Sequence, residues 1–277
     1  MTALPIRSPL GAGGAPVYLT AETTSTMDDA RRLVAHGAPS GTVIVTDHQT
    51  AGRGRRAGRV WHSAARASLM FTVALERPHE PVTRSLVMAA AVVRLLEEEA
   101  GLAVSVKWPN DVLVHDRKIC GILADHDGRW LYLGVGLNVR QERFPEDLAR
   151  AATSVRLACG TLEQADRGGE RREAGPAGTG RAPGGLSWAD VDWSPLRDRF
   201  LLRLLDLYAD SHDCWHALLT ERLWRRGEPV EVSSPGGARV AGTLTGIETD
   251  GRLIVTGEAV HRMAAGEVSL DRRARHE

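Results

Sequence analysis

The chain of 277 residues carries 35 basic and 35 acidic side chains, so a formal net charge of zero excludes a global pull towards nucleic acid or anionic lipid. A hydrophobic share of 43% suffices for one large domain, or a large and a small one. Cys120, Cys159 and Cys214 lie far apart with no C-x-x-C pair, excluding a disulfide framework and a cysteine zinc site.

Residues 1–16 are rich in Pro, Gly and Ala, lack the apolar core of a signal peptide, and are expected to form a disordered tail. A helix is predicted after Ser25 or Thr26, with Asp28 and Asp29 in its first turn. Thr42 to Thr46 and Ser68 to Leu75 read as buried strands, separated by a Gly/Arg segment from Gly52 to Arg59 with no hydrophobic period. Ser85 to Ala100 is a helix that Gly101 stops, with Glu97 to Glu99 at its exposed end. Val104 to Lys107, Ile119 to Ala124 and Trp130 to Leu137 are strands, the last two a hairpin across Asp127-Gly128. Gln164 to Gly185 lacks apolar anchors and reads as a disordered insertion in a surface loop. A helix follows from Pro195 to Ala209. From about Gly227, four or five short strands predict a small appended β-barrel. Helices beside hairpin-linked strands favour α+β over a doubly wound parallel sheet. No apolar run is long enough to span a bilayer, so a cytoplasmic protein with no membrane partner is expected.

Three segments carry chemistry. Gly52-Arg53-Gly54-Arg55-Arg56-Ala57-Gly58-Arg59-Val60-Trp61 holds four arginines, and no acidic residue lies between Asp47 and Glu76. Arginine offers a donor fork to phosphate and carboxylate, and glycine lets backbone approach an anion. By composition alone a solvated basic loop, a nucleic-acid patch and a small-anion site all remain open; Trp61 offers a face for an adenine ring. Lys107-Trp108-Pro109-Asn110-Asp111 closes a strand at a rigid turn, placing Asn110 and Asp111 where a nucleotide or metal can bind. Lys118 follows on a strand with apolar neighbours, beside Gly121; such a lysine is commonly a plain surface residue. Gly134-Val135-Gly136-Leu137-Asn138 suggests a floor for a flat ligand, although core glycines explain the pattern equally well.

In this order and spacing the three segments, with Ser25-Thr26 and Gln49, resemble the biotin–protein ligase family over about Val17 to Leu270. The resemblance implies an α+β fold, a mixed sheet with helices on one side plus a small C-terminal SH3-like β-barrel. It implies a catalytic domain over 17–224, interrupted at 164–185, and a C-terminal domain over 225–272. It implies ATP-dependent activation of biotin to an adenylate and transfer to a lysine of a biotin carboxyl carrier domain, with Mg²⁺ on the ATP phosphates. Ser25, Thr26, Met27, Gln49, Gly52, Gly54 and Gly121 would surround biotin. Arg53, Arg55 and Lys118 would meet its carboxylate and the α-phosphate, while Trp61, Asn110, Asp111 and Asn138 would line the nucleotide side. Lys118, Arg53 and Asp111 are the expected catalytic residues.

The chain departs from the family pattern in one extra residue between Gly52 and Trp61, and in Met27 where Asn is common. About sixteen residues precede the resemblance, too few for the winged helix-turn-helix of bifunctional members, so DNA is not an expected partner. A monomer or weak homodimer is expected. The rival readings are a lipoate or octanoate ligase or transferase of the same fold, and a biotin-binding module without turnover.

Overall fold

The computed structural model describes residues 1–11, 13–55, 58–76, 81–160, 188 and 190–270. Its larger part contains strands β1 (Thr2–Ser8), β2 (Ala15–Thr20), β3 (Thr42–Thr46), β4 (Ser68–Glu76), β5 (Ser105–Lys107), β6 (Asp111–Val114), β7 (Arg117–His126) and β8 (Trp130–Asn138). Its helices are α1 (Thr26–Ala35), α2 (Pro81–Ala100), α3 (Trp193–Asp210) and α4 (Trp215–Glu221), and residues 155–160 are also helical. Local chemistry sets several boundaries. Ser25 caps α1, its hydroxyl accepting from the Met27 N–H. Gly101, at φ 63°, ends α2 while the Leu102 N–H reaches back to the Leu96 carbonyl. The β7–β8 hairpin turns on the Asp127 carboxylate, which accepts from the Trp130 and Arg129 N–H groups; these bonds hold its carboxyl below the ordinary range.

The eight strands form one mixed sheet in the order β1-β2-β3-β4-β8-β7-β6-β5, with β2 and β3 parallel and the other neighbours antiparallel. Because side chains alternate along a strand, the sheet has two unlike faces. One sends Leu69, Phe71 and Val73 of β4, with Leu133, Val135 and Leu137 of β8, into a core shared with α2, α3 and α4. Glu97, Glu98 and Glu99 reinforce that layer by pairing with Arg222, Arg203 and Arg199. The other face carries Met70, Thr72, Gly134 and Gly136. Here α1 packs Met27 and Ala30 against Ile44, Ala74 and Tyr132, so this helix lies across the sheet from the rest.

The N-terminal tail expected over residues 1–16 is corrected. Thr2–Ser8 pairs antiparallel with β2 at the sheet edge, and Leu4 and Ile6 rest on the core. That apolar alternation outweighs the Pro and Gly content around it, so the large domain begins before residue 17. The insertion expected at 164–185 lies outside the described residues. Among those described, no helix is long and apolar enough to cross a membrane.

After α4 the chain runs along β5: the Val106 N–H donates to the Arg222 carbonyl at 2.7 Å, and the Trp224 N–H to the Val106 carbonyl at 2.9 Å. Strands β9 (Pro229–Ser233), β10 (Arg239–Ile247), β11 (Leu253–Thr256), β12 (Val260–Met263) and β13 (Glu267–Leu270) then form an antiparallel sheet in the order β12-β11-β10-β9-β13. Among the described residues β12 and β13 do not pair, so this sheet is open where a closed barrel was expected. The Trp108 indole N–H donates to the Gly251 carbonyl at 2.9 Å, and a His216 ring nitrogen lies 2.7 Å from the Ile247 carbonyl. These contacts fix the small sheet to the turn after β5 and to α4.

Candidate active site

Two joined cavities open on the face that carries α1. The first lies between the start of α1, strands β4, β7 and β8, and the Gly/Arg segment. Its polar end is preorganised. The Thr26 N–H and hydroxyl both donate to Gln49 Oε1, at 2.9 and 3.2 Å, and the Thr26 and Thr72 hydroxyls are 2.9 Å apart. Among the described residues Gln49 Nε2 meets only the weak acceptor Met70 Sδ, at 3.7 Å, which leaves an amide donor for a ligand. Buried Met27 forms the neighbouring apolar wall; a Cβ on Gly134 would stand 3.2 Å from its Cε.

The described ends of the Gly/Arg segment pair as a narrow ribbon, with the Gly54 N–H on the Arg59 carbonyl at 2.8 Å and the Trp61 N–H on the Gly52 carbonyl at 2.9 Å. Gly52 sits behind the cavity, where a Cβ would meet the Trp61 carbonyl at 2.9 Å and Gln49 Nε2 at 3.1 Å. The ribbon lays Trp61 on the sheet. A Cβ on Gly136 would lie 2.6 Å from the indole, and one on Gly121 3.2 Å from it, so both glycines are its seat. The indole N–H is buried and unpaired among the described residues, a donor that a substrate acceptor would satisfy. Arg53 lines the first cavity and ion-pairs with Asp28 of α1, while Arg55 reaches across to donate to the Gly266 carbonyl at 2.6 Å.

Lys118 owes its place to a β-bulge. Val112 faces Cys120, yet the next residue, Leu113, faces Lys118, so β7 carries one extra residue. Ile119 and Cys120 both turn into the core and Lys118 returns to the cavity face. Its ammonium stands 2.7 Å from Asp111 Oδ1 and 5.7 Å from the centre of the Trp61 ring. Its backbone is held on both sides, N–H to the Ala151 carbonyl at 2.8 Å and carbonyl from the Thr153 N–H at 2.9 Å. Cys120 packs in the core, and burial pushes its thiol far up from the ordinary range.

The second, wider cavity continues past Trp61 and Lys118 over β6 and β5, bordered by Asn110, Asp111, Asn138 and Phe144. Asn110 pairs with Ile122 through its side-chain amide, at 3.0 Å to the carbonyl, and through its own carbonyl, at 2.9 Å from the N–H. Asn138 is engaged at both ends, accepting from Ser68 at 3.2 Å and donating to the Thr153 carbonyl at 3.0 Å. Every residue named from the sequence for biotin or nucleotide borders one of the two cavities, Gly52 excepted. Sequence reading missed Thr72, whose only signal was a hydroxyl on an otherwise apolar strand.

The model of the biotin/lipoate A/B protein ligase family matches residues 19–139. The biotin–[acetyl-CoA-carboxylase] ligase of Mycobacterium tuberculosis is 31% identical over 270 residues, 93% of this chain and 90% of that protein. The enzyme of the same name from Paracoccus denitrificans is 30% identical over 249 residues, 87% and 94%. The bifunctional ligase/repressor BirA of Bacillus subtilis is 40% identical over 157 residues, and the match spans about half its length, 47%. Among solved structures, a biotin protein ligase from Aquifex aeolicus in complex with biotin and ATP superposes with a TM-score of 0.69 at 26% identity, covering 92% of this chain and 98% of that one.

Proposed function

Because the chain belongs to the biotin protein ligase family, we propose that it activates biotin with ATP and transfers it to a lysine of a biotin carboxyl carrier domain. The observation that carries this reading is the continuity of the two cavities through Lys118. A pocket with hydrogen-bonding residues at one end and an indole above a glycine floor opens, at that ammonium, into a wider groove. The ureido ring of biotin suits Ser25, Thr26, Gln49 and Thr72, since a buried polar ring requires paired donors and acceptors. Its valeryl chain would run beneath Trp61 to place the carboxylate at Lys118.

A carboxylate is already ionised at neutral pH, so its attack on the α-phosphorus needs no general base. The need is for cations that offset anion–anion repulsion, which Lys118 meets with Arg53 and Arg55. The carboxylate oxygen bonds to phosphorus, pyrophosphate leaves, and a mixed anhydride results. An acceptor lysine then attacks the acyl carbon as its free amine and AMP departs; Asp111, beside Lys118, would take the proton. Among the described residues no three His, Cys, Asp or Glu side chains converge, so the donor set fits Mg²⁺ carried on the ATP phosphates with Asp111 as the adjacent protein carboxylate. Bound there, the ion would neutralise phosphate charge.

The relatives that span most of the chain are named for biotin, which favours biotin over lipoate. The test is to incubate the protein with MgATP, biotin or lipoate, and an apo carrier domain of an acetyl-CoA carboxylase, then weigh the carrier. A biotinyl mass gain is expected. A lipoyl gain would promote the rival, and no gain would reject both.

A further inference from the structure

A row of facing residues crosses four strands of the large sheet. Gly136 on β8 faces Gly121 on β7, Gly121 faces Asp111 on β6, and Asp111 faces Lys107 on β5. Directly opposed residues share a face, so all four lie on the cavity side, in strands spaced ~4.8 Å apart. The two glycines seat Trp61, and Asp111 is the ion partner of Lys118. Lys107 ends the row and lines the wider groove.

Lys107 forms no ion pair among the described residues; its ammonium instead lies 5.0 Å from the centre of the Trp224 ring. Trp224 is held in turn by its indole N–H on Asp116 at 2.7 Å and by the backbone bond to Val106. The Asp116 carboxylate is committed to Arg225, at 2.9 Å. An aromatic face steadies an ammonium without cancelling its charge, which leaves Lys107 a half-buried cation open to an anion.

The rest depends on the adenylation reading above. In-line displacement puts the leaving group opposite the attacking oxygen. With the carboxylate over Gly121 and Lys118, the β- and γ-phosphates continue along the row over β6 and β5. We propose that Lys107 is the pyrophosphate-binding residue: braced on Trp224, its ammonium receives the β- and γ-phosphates of ATP. As the carboxylate oxygen bonds to the α-phosphorus, the bond from that phosphorus to the α–β bridging oxygen breaks. The electron pair stays on the pyrophosphate, where Lys107 meets the new charge.

The experiment is biotin-dependent ATP–pyrophosphate exchange, with calorimetric titration of pyrophosphate and of biotin separately. Lys107→Ala should raise the KM for pyrophosphate at least tenfold and weaken its direct binding in parallel. The biotin Kd without ATP should stay within twofold, and Lys107→Arg should recover most of the pyrophosphate affinity. Undiminished pyrophosphate affinity in Lys107→Ala, or an equal loss for biotin, would overturn the assignment. Wild-type protein that shows no exchange would refute adenylation instead, and the pyrophosphate titrations of wild type and Lys107→Ala would still decide the role of Lys107.

Discussion

The two faces of the large sheet are drawn from the same strands and do opposite work. On β4 and β8, Phe71 and Val135 pair side by side on the core face, while one step along Thr72 pairs with Gly134, and Met70 with Gly136, on the cavity face. The core face is filled with large branched or aromatic side chains. The cavity face withholds side chains, so that Trp61 and a substrate can lie directly on backbone. One sequence thus alternates residues selected for volume with residues selected for its absence, and the two sets should fail in different ways when altered.

The largest effect is expected on the core face. Phe71→Ala should cost about 3–5 kcal/mol of stability, read as a fall in the urea midpoint, by loss of buried surface and the cavity left behind. Lys118→Ala should cost about 3 kcal/mol in the barrier to adenylate formation, roughly a hundredfold in single-turnover rate, with the urea midpoint near wild type; a matching loss of stability would erase the distinction between the faces. Gly136→Val should drive the indole off its seat and weaken biotin by about 2 kcal/mol, roughly thirtyfold in Kd by titration, while stability changes much less. Trp108→Phe removes the bond to the Gly251 carbonyl and should cost about 1 kcal/mol, measured by thermal unfolding as earlier loosening of the small sheet.

The smallest effect concerns pH. Burial, and then the Arg84 guanidinium, depress the pKa of His212 below its ordinary 6.5. The unfolded chain therefore binds a proton that the folded chain refuses, and stability falls as pH drops through 6.5 towards the folded value. Urea midpoints at pH 7.5 and 5.5 should separate less in His212→Gln than in wild type, and an unchanged separation would place the pH response elsewhere.

Legibility in the sequence followed the same division. Elements with a continuous or periodic apolar pattern announced themselves: Thr42–Thr46, β-branched throughout and buried on both faces, the β7–β8 hairpin and α2 all stand close to where that pattern put them. Tyr18 and Leu19 of β2, and the short strands β6 and β13, offer too few alternations for the pattern to register. The tail became β1 because Leu4 and Ile6 gain a core that no local window reveals. At the site, the Gly/Arg segment was visible as chemistry but not as geometry. That Arg55 spans to Gly266, 211 positions away, is a tertiary fact. Lys107 was passed over because the motif containing it drew attention to Asn110 and Asp111; its value comes from facing Asp111 across β5 and β6, and from Trp224 arriving 117 positions later.

The extra residue in β7 has a consequence for anyone who would move this chemistry elsewhere. A plain strand with the same letters, Lys-Ile-Cys-Gly, would keep Gly121 on the cavity and send Lys118 into the hydrophobic layer, because facing alternates strictly without the bulge. Transplanting the residues alone onto another sheet would therefore carry the lysine and lose the ammonium. The heritable unit is a phase shift as much as a side chain: deleting Ile119, the extra residue, would bring Lys118 to two positions from Gly121 and should keep its ammonium on the cavity face with no bulge at all.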